Sequence, residues 1–279
     1  MQIKLKHNIA LIVIILFLTI INNIASAQTR ISSPYSRYKL GTSQKNLFAQ
    51  NLGLGLTSGI RNEATVNFGN PASYTSFDTT SFVFDVGLNN YFNILQNSVT
   101  KQKYNYTSLG YLLFGFPVTK WWGSSFGLTP FSKTGYKMSF SQYIDSLGNV
   151  NYIYEGNGGI NRFYWGNGFK IIKNISVGVN ASFLFGSLDK IRSIIFIDST
   201  KIYNVRIKNS TIISDIVFNW GIQYYTFIKP DLKLTLGSSF NTNSNLNAKQ
   251  NIIVQRFLSN NTGYEIIKDT VANNTKQKG

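Results

Sequence analysis

Groups able to do chemistry are sparse in this 279-residue chain. It has no cysteine, and its one histidine is His7. His7 lies in the segment read below as a cleaved signal, and a mature chain with neither residue has no thiolate or imidazole zinc site, no cysteine nucleophile and no serine–histidine–aspartate triad. Carboxylates are the remaining candidates: Asp85, Glu155, Asp189 and Asp215. Two carboxylates facing one bond can hydrolyse a glycoside, but these four show no spacing that pairs them. They read as solvated side chains of a lumen or of loops. The stretch EGNGG, 155–159, lacks the strand-to-helix setting of a phosphate loop and reads as a flexible strand or loop. The sequence therefore predicts no enzyme, no metal and no cofactor.

The stretch VNFGNPASYTSF, 66–77, calls for a structural reading. Pro71 fixes its own φ and holds Asn70 extended. Asn70 can cap a short helix whose first residue is Pro71. This is a tight corner just before the chain becomes strand-patterned.

The elements around that corner follow from the chain's patterning. Lys4, Lys6 and His7 precede a short apolar run, 9–21, and Ala25-Ser26-Ala27 has the small residues of a cleavage site. Residues 1–27 thus read as a secretory signal. No later stretch approaches ~18 consecutive apolar residues, so no helical membrane span is predicted. The net charge is +16. On an exported chain such a charge suits lipid phosphates or acidic surface sugars rather than nucleic acid.

Residues 28–80 are rich in Gly, Ser and Asn and show no sustained period. From residue 81 the chain alternates. In 175–185 the odd positions are Ile, Val, Val, Ala, Phe and Phe, and the even ones are small or polar up to Ser182. Residues 215–224 and 231–237 repeat the pattern. Period two over such lengths marks strands. A large aromatic face opposite a face of Gly, Ser, Asn and Thr is the pattern of a transmembrane barrel, apolar toward lipid and polar toward the lumen. Short connections near Lys120, Lys173 and Pro230 alternate with longer polar ones, as periplasmic turns and external loops do. The predicted strands are 81–95, 105–119, 123–144, 152–172, 174–197, 210–228 and 232–256, with an eighth in 263–271. Several exceed the ~9–11 residues that cross a bilayer, so the barrel should project outward. The tail ANNTKQKG has no closing aromatic strand. The chain is thus expected to be all-β, an antiparallel outer-membrane β-barrel, incomplete over 81–279. A small closed eight-stranded barrel is the alternative.

The signal, the Gly-rich segment with Asn70-Pro71-Ala72, the long strands and the proline in FGLTPFSKTGY together resemble the FadL-like outer-membrane transporters of hydrophobic compounds. That resemblance implies that residues 28–80 form a hatch inside the barrel, with Asn70, Pro71 and Ala72 in it. It also implies that Pro130 breaks the wall to make a lateral opening. The function implied is diffusion of fatty-acid-like molecules, with outer-membrane lipids and a hydrophobic substrate as partners. Two other readings stand beside it: a barrel scaffold or shuttle component of a protein secretion machinery, and an exported soluble β protein such as an adhesin.

Overall fold

The computed structural model describes residues 33–44, 51, 53, 58–96, 98, 101–198, 202–242, 245–259 and 265–277, with 274–277 as backbone. The signal-like residues 1–27 lie outside that set. Among these residues ten strands form one antiparallel sheet. They are β1 (Thr42–Ser43), β2 (Val83–Gln96), β3 (Lys101–Thr119), β4 (Trp122–Ile144), β5 (Gly148–Ile172), β6 (Ile175–Phe196), β7 (Asn204–Lys229), β8 (Leu232–Asn241), β9 (Ala248–Ser259) and β10 (Glu265–Gln277). Neighbours in sequence pair from β2 to β7, as a meander built on tight turns requires. Among the described residues the sheet is not closed, since β2 pairs only with β3 and β10 only with β9.

Two expectations need correction. The segment 232–256 is two strands, not one. β8 pairs with the turn-proximal part of β7, from Asn219↔Asn241 to Lys229↔Leu232. β9 pairs with its far part, from Asn204↔Phe257 to Ile213↔Ala248. Between them the Asp215 side chain takes a backbone donor from the ladder, its Oδ2 accepting from the Asn247 N–H at 2.8 Å, and Trp220 Nε1 donates to the Thr242 hydroxyl at 3.2 Å. The last strand also runs on through Gln277, so the polar tail adds to the ladder with β9. Backbone pairing needs no apolar side chains, which is why the hydrophobic pattern missed it.

The burial pattern is that of a barrel in lipid. On β7 the exposed face carries Ile216, Phe218, Trp220, Ile222 and Tyr224. Gln223, between two of them, is fully buried, as are Ser176 and Asn180 on β6. Apolar side chains point out and amides and hydroxyls point in, the reverse of a water-soluble sandwich. Strands of 22 to 26 residues in β4 to β7 are longer than the ~9–11 that span a bilayer. On the portions away from the tight turns, ion pairs replace the apolar face: Lys137–Glu155 at 2.6 Å, Lys208–Asp189 at 2.9 Å and Arg206–Glu265 at 2.6 Å. Ion pairs on the outer face suit portions that project past the apolar band.

The inner face is filled. The turn Pro71–Ser76 lies against β3, β4, β5, β6 and β7. Five flat strands would spread over ~19 Å at 4.8 Å spacing, while a six-residue 3₁₀ turn is ~12 Å long. The turn is shorter than the width of the five strands it touches, which a sheet curling around it accommodates. Beside the turn, Val66, Phe68, Tyr74 and Phe77 pack with Val83, Tyr111, Leu113 and Tyr164 of the wall. Farther from the tight turns a second apolar cluster, Ile160, Leu184, Leu188 and Ile213, is covered by Leu40 and Leu246.

Candidate functional site

The corner at Asn70 is built locally by its own residues. Asn70 is extended at φ −138° and ψ 100°, and its Oδ1 accepts from the Ala72 N–H at 3.1 Å. Pro71 opens the 3₁₀ turn without a donor to satisfy. Ser73 Oγ donates back to the Asn70 carbonyl at 2.8 Å, and Ser76 Oγ donates to the Ser73 carbonyl at 2.6 Å. Asn70, Ala72 and Tyr74 are fully buried.

The wall receives this corner through a row of glycines. Gly123 pairs with Gly168, Gly168 with Gly178, and Gly178 with Gly221, so four glycines line up across β4 to β7. They permit main chain to press on main chain. A Cβ on Gly123 would lie 2.0 Å from the Tyr74 carbonyl oxygen, and one on Gly168 would lie 2.6 Å from that of Pro71. On Gly178 it would meet the Pro71 carbonyl carbon at 2.4 Å, and on Gly221 the Asn70 Oδ1 at 2.0 Å. Any side chain in the row would lift the turn from its seat.

Amides beside the row complete the lock. Asn70 Nδ2 donates to the carbonyls of Ser58, Ile222 and Ser238 at 2.7, 3.1 and 3.3 Å, tying the turn to β7 and β8. Gln223 Nε2 donates to the carbonyls of Ser58 and Ile60 at 2.9 and 3.0 Å. Asn180 Nδ2 donates to the Phe68 carbonyl at 3.0 Å, while its Oδ1 accepts from Tyr74 Oη at 2.9 Å. Thr75 Oγ1 donates to Ser176 Oγ at 2.8 Å. Arg61 donates to Gln223 Oε1 at 3.3 Å and stacks over Tyr225 with 4.4 Å to the ring centroid. Burial lowers the Arg61 pKa and raises that of the Tyr74 hydroxyl well above the ordinary tyrosine range, the nearby Tyr164 adding to the second effect.

Pro130 sits elsewhere. The ladder between β3 and β4 ends at Leu112↔Leu128. Phe131 is the extra residue of a bulge against β5, and Gly110 is that of a bulge against β2. The two strands bend apart there. The vacated edge of β4 is taken by the N-terminal segment: Thr42 pairs with Lys133, Ser43 with Ser132, and the N–H groups of Gln44 and Ser33 donate to the carbonyls of Phe131 and Gly135, both at 3.0 Å.

The candidate carboxylates each have other work. Glu155 and Asp189 hold Lys137 and Lys208, and Asp215 binds Asn247. Asp85 hydrogen-bonds Tyr111. Residues 155–159 lie within β5. The functional features that sequence reasoning did not single out are Asn180, Gln223 and the alignment of the glycines. Their trace was present, since all stand on the small, polar face of alternating strands, but register is needed to see four glycines become one row.

A curled antiparallel sheet, apolar outside, polar and filled inside, is a β-barrel-like fold of the outer-membrane type. Within that class, residues 8–279 match the family model for BamG, and the chain belongs to the BamG family. No curated protein and no solved structure matches it. Membership overturns the resemblance to FadL-like transporters, and nothing found supports passage of hydrophobic compounds. The resemblance misled for a physical reason. Long alternating strands are common to outer-membrane barrels, and an Asn-Pro corner is a general way to start a short helical turn, so neither discriminates among barrel families. The family is associated with the outer membrane of Gram-negative bacteria, which supports an envelope location and relates the chain to outer-membrane protein assembly.

Proposed function

We propose that this protein is a barrel subunit of the machinery that assembles outer-membrane proteins, and that it acts as a scaffold whose inner face is occupied by a seated plug. The described residues within 28–80 serve in this reading as a fixed plug rather than a gate. The observation that carries it is the seat of the turn from Asn70 to Thr75 on Gly123, Gly168, Gly178 and Gly221, where main chain rests on main chain at the first three and the Asn70 amide lies on the fourth and bonds the carbonyls of Ile222 and Ser238. A gate that opens during each passage would have to break these buried contacts and leave their carbonyls unpaired, at ~1–3 kcal/mol each. A scaffold gains rigidity from the same contacts. Partners would then meet the outer wall and the projecting strand ends, and lipid would meet the aromatic band. No reaction is part of the proposed role. Pro130 is, in this reading, the point where the wall passes from β3 to the N-terminal segment.

Depletion of the protein in its own cell tests the proposal. The expected result is a lower amount of folded, heat-modifiable barrels in the outer membrane, with the inner-membrane proteins unchanged. Normal levels of all other outer-membrane barrels after depletion would sink it.

A further inference from the structure

A cavity of about 440 Å³ opens at the end of the inner face away from the tight turns. Its cations are Arg37 and Lys39 of the N-terminal segment and Lys190 and Arg192 of β6, and its walls are the rings of Tyr38, Tyr136 and Tyr154. Register explains why they meet. Tyr136 pairs with Gly156 and Gly156 with Lys190, and one row further out Tyr154 pairs with Arg192. These residues share the inner face, where Tyr136 folds over Gly156 so closely that a Cβ there would lie 2.1 Å from the ring. The neighbouring carboxylates, Glu155 and Asp189, alternate to the other face and are held there by Lys137 and Lys208. Among the described residues no carboxylate lines the cavity.

The arrangement is held in place. Lys190 Nζ donates to the Lys39 carbonyl at 3.1 Å, and Lys39 adopts φ +49°, a left-handed backbone that a lysine rarely takes. The Arg37 guanidinium lies 5.5 Å from the Tyr38 ring and 5.8 Å from the Tyr154 ring. Four like charges around one hollow repel one another and are stabilised when an anion enters. Guanidinium forks match phosphate oxygens two at a time. A single carboxylate would offset one of the four charges, and a diphosphate offsets most of them. Flat tyrosine rings suit the apolar face of an attached sugar.

We propose that this cavity is a binding site for a phosphate-bearing ligand, with Arg37, Lys190 and Arg192 as the principal counter-charges. The site is independent of the assembly role. Two sources carry this chemistry at the cell surface: the phosphorylated headgroup of a surface glycolipid and a soluble phosphate compound.

The test titrates the full chain, purified from outer membranes in neutral detergent, with inorganic pyrophosphate by calorimetry. Saturable binding is expected, weakened at least tenfold in the double variant Arg37→Gln/Arg192→Gln and unchanged in Lys229→Gln at the opposite end. Arg192→Lys, which keeps the charge and loses the fork, is expected to lose a smaller factor; it carries the test if the double variant does not fold. Competition by phosphorylated lipopolysaccharide, and not by its dephosphorylated form, would assign the site to the lipid headgroup. Absence of that competition would assign it to a soluble phosphate. No saturable binding of pyrophosphate, or equal affinity in wild type and both arginine variants, would overturn the proposal.

Discussion

Gly178 lies directly beneath Pro71, so close that a Cβ on the glycine would stand 2.4 Å from the proline's carbonyl carbon and 2.5 Å from the Ala72 nitrogen. Both contacts are with main chain, which cannot swing aside as a side-chain tip can. The strand and the plug therefore fit only if position 178 has no side chain. Gly178→Ala is expected to destabilise the protein by ~1–3 kcal/mol, the usual range for overpacking. Gly59→Ala is the matched control, since its Cβ would meet only the Thr235 carbonyl at 3.6 Å. Urea titration of the heat-modifiable gel band compares them; equal midpoints would show that the row does not bear the plug.

Asn70 separates capping from anchoring. Its oxygen caps the turn, and its nitrogen donates to three carbonyls. Asn70→Asp keeps a good cap but turns a second oxygen toward those carbonyls within a fully buried site. Asn70→Ala loses the cap as well, at ~1 kcal/mol, but adds no buried charge. The aspartate variant should therefore be the less stable of the two, although it is the better helix-capping residue. Thermal unfolding followed by circular dichroism ranks them, and the opposite order would show that the cap dominates.

The strands were legible because alternation is a local property. Ile175, Val177 and Val179 announce a face whatever lies beside them. The corner at Asn70-Pro71 was legible for the same reason, since proline acts on its immediate neighbour. The glycine row was not. Gly123, Gly168, Gly178 and Gly221 are far apart in sequence, and only the strand register makes them adjacent. The gap between β8 and β9 was hidden likewise, because Asp215 captures Asn247 from the neighbouring strand. Family membership was beyond the reach of pattern altogether, since barrels of different families share alternation and plug chemistry.

Tyr74 makes the plug sensitive to alkali. Its hydroxyl is fully buried and its pKa is raised well above 10.0 by burial first and by the nearby Tyr164 second. In the unfolded chain the phenol ionises near its ordinary ~10. A pKa raised in the folded state stabilises the fold fully below the unfolded value, and that contribution falls as pH rises above it. Stability should thus decline above pH ~10. Tyr74→Phe loses the bond to Asn180, at ~1 kcal/mol near neutrality, and should show a flatter decline. Urea midpoints between pH 8 and 11 for the two proteins provide the check; parallel slopes would rule Tyr74 out as the cause.

Phe218 tests the outward face. It is 41% exposed, in the middle of an outward run with Ile216, Trp220 and Ile222. In water, exchanging an exposed phenylalanine for arginine would cost little. In a bilayer, arginine near the midplane of a barrel strand costs ~2–4 kcal/mol. Phe218→Arg should reduce the membrane-inserted fraction strongly, whereas Lys229→Arg at the turn should leave it unchanged. Fractionation after carbonate or urea extraction measures this, and full insertion of the Phe218 variant would place β7 outside the hydrocarbon.

Thr75 and Ser176 distinguish a fixed plug from a moving one. Their hydroxyl oxygens are 2.8 Å apart, one on the turn and one on β6. A disulfide needs its two Cβ atoms ~3.8 Å apart, and side chains already in hydrogen-bond contact are near that geometry. The chain has no cysteine of its own, so Thr75→Cys/Ser176→Cys can form only the intended bond within one molecule, and the oxidising envelope favours it. The cross-link joins the plug to the wall across the glycine row. If the plug is static, the oxidised variant should support outer-membrane protein assembly as well as the reduced one, with raised thermal stability. If the segment must leave its seat during the work, oxidation should block function and a reductant should restore it. The main-chain contacts at Gly123, Gly168 and Gly178 argue for the first outcome, and withdrawal of the turn would also leave the wall carbonyls of Ile222 and Ser238 without Asn70 as their donor.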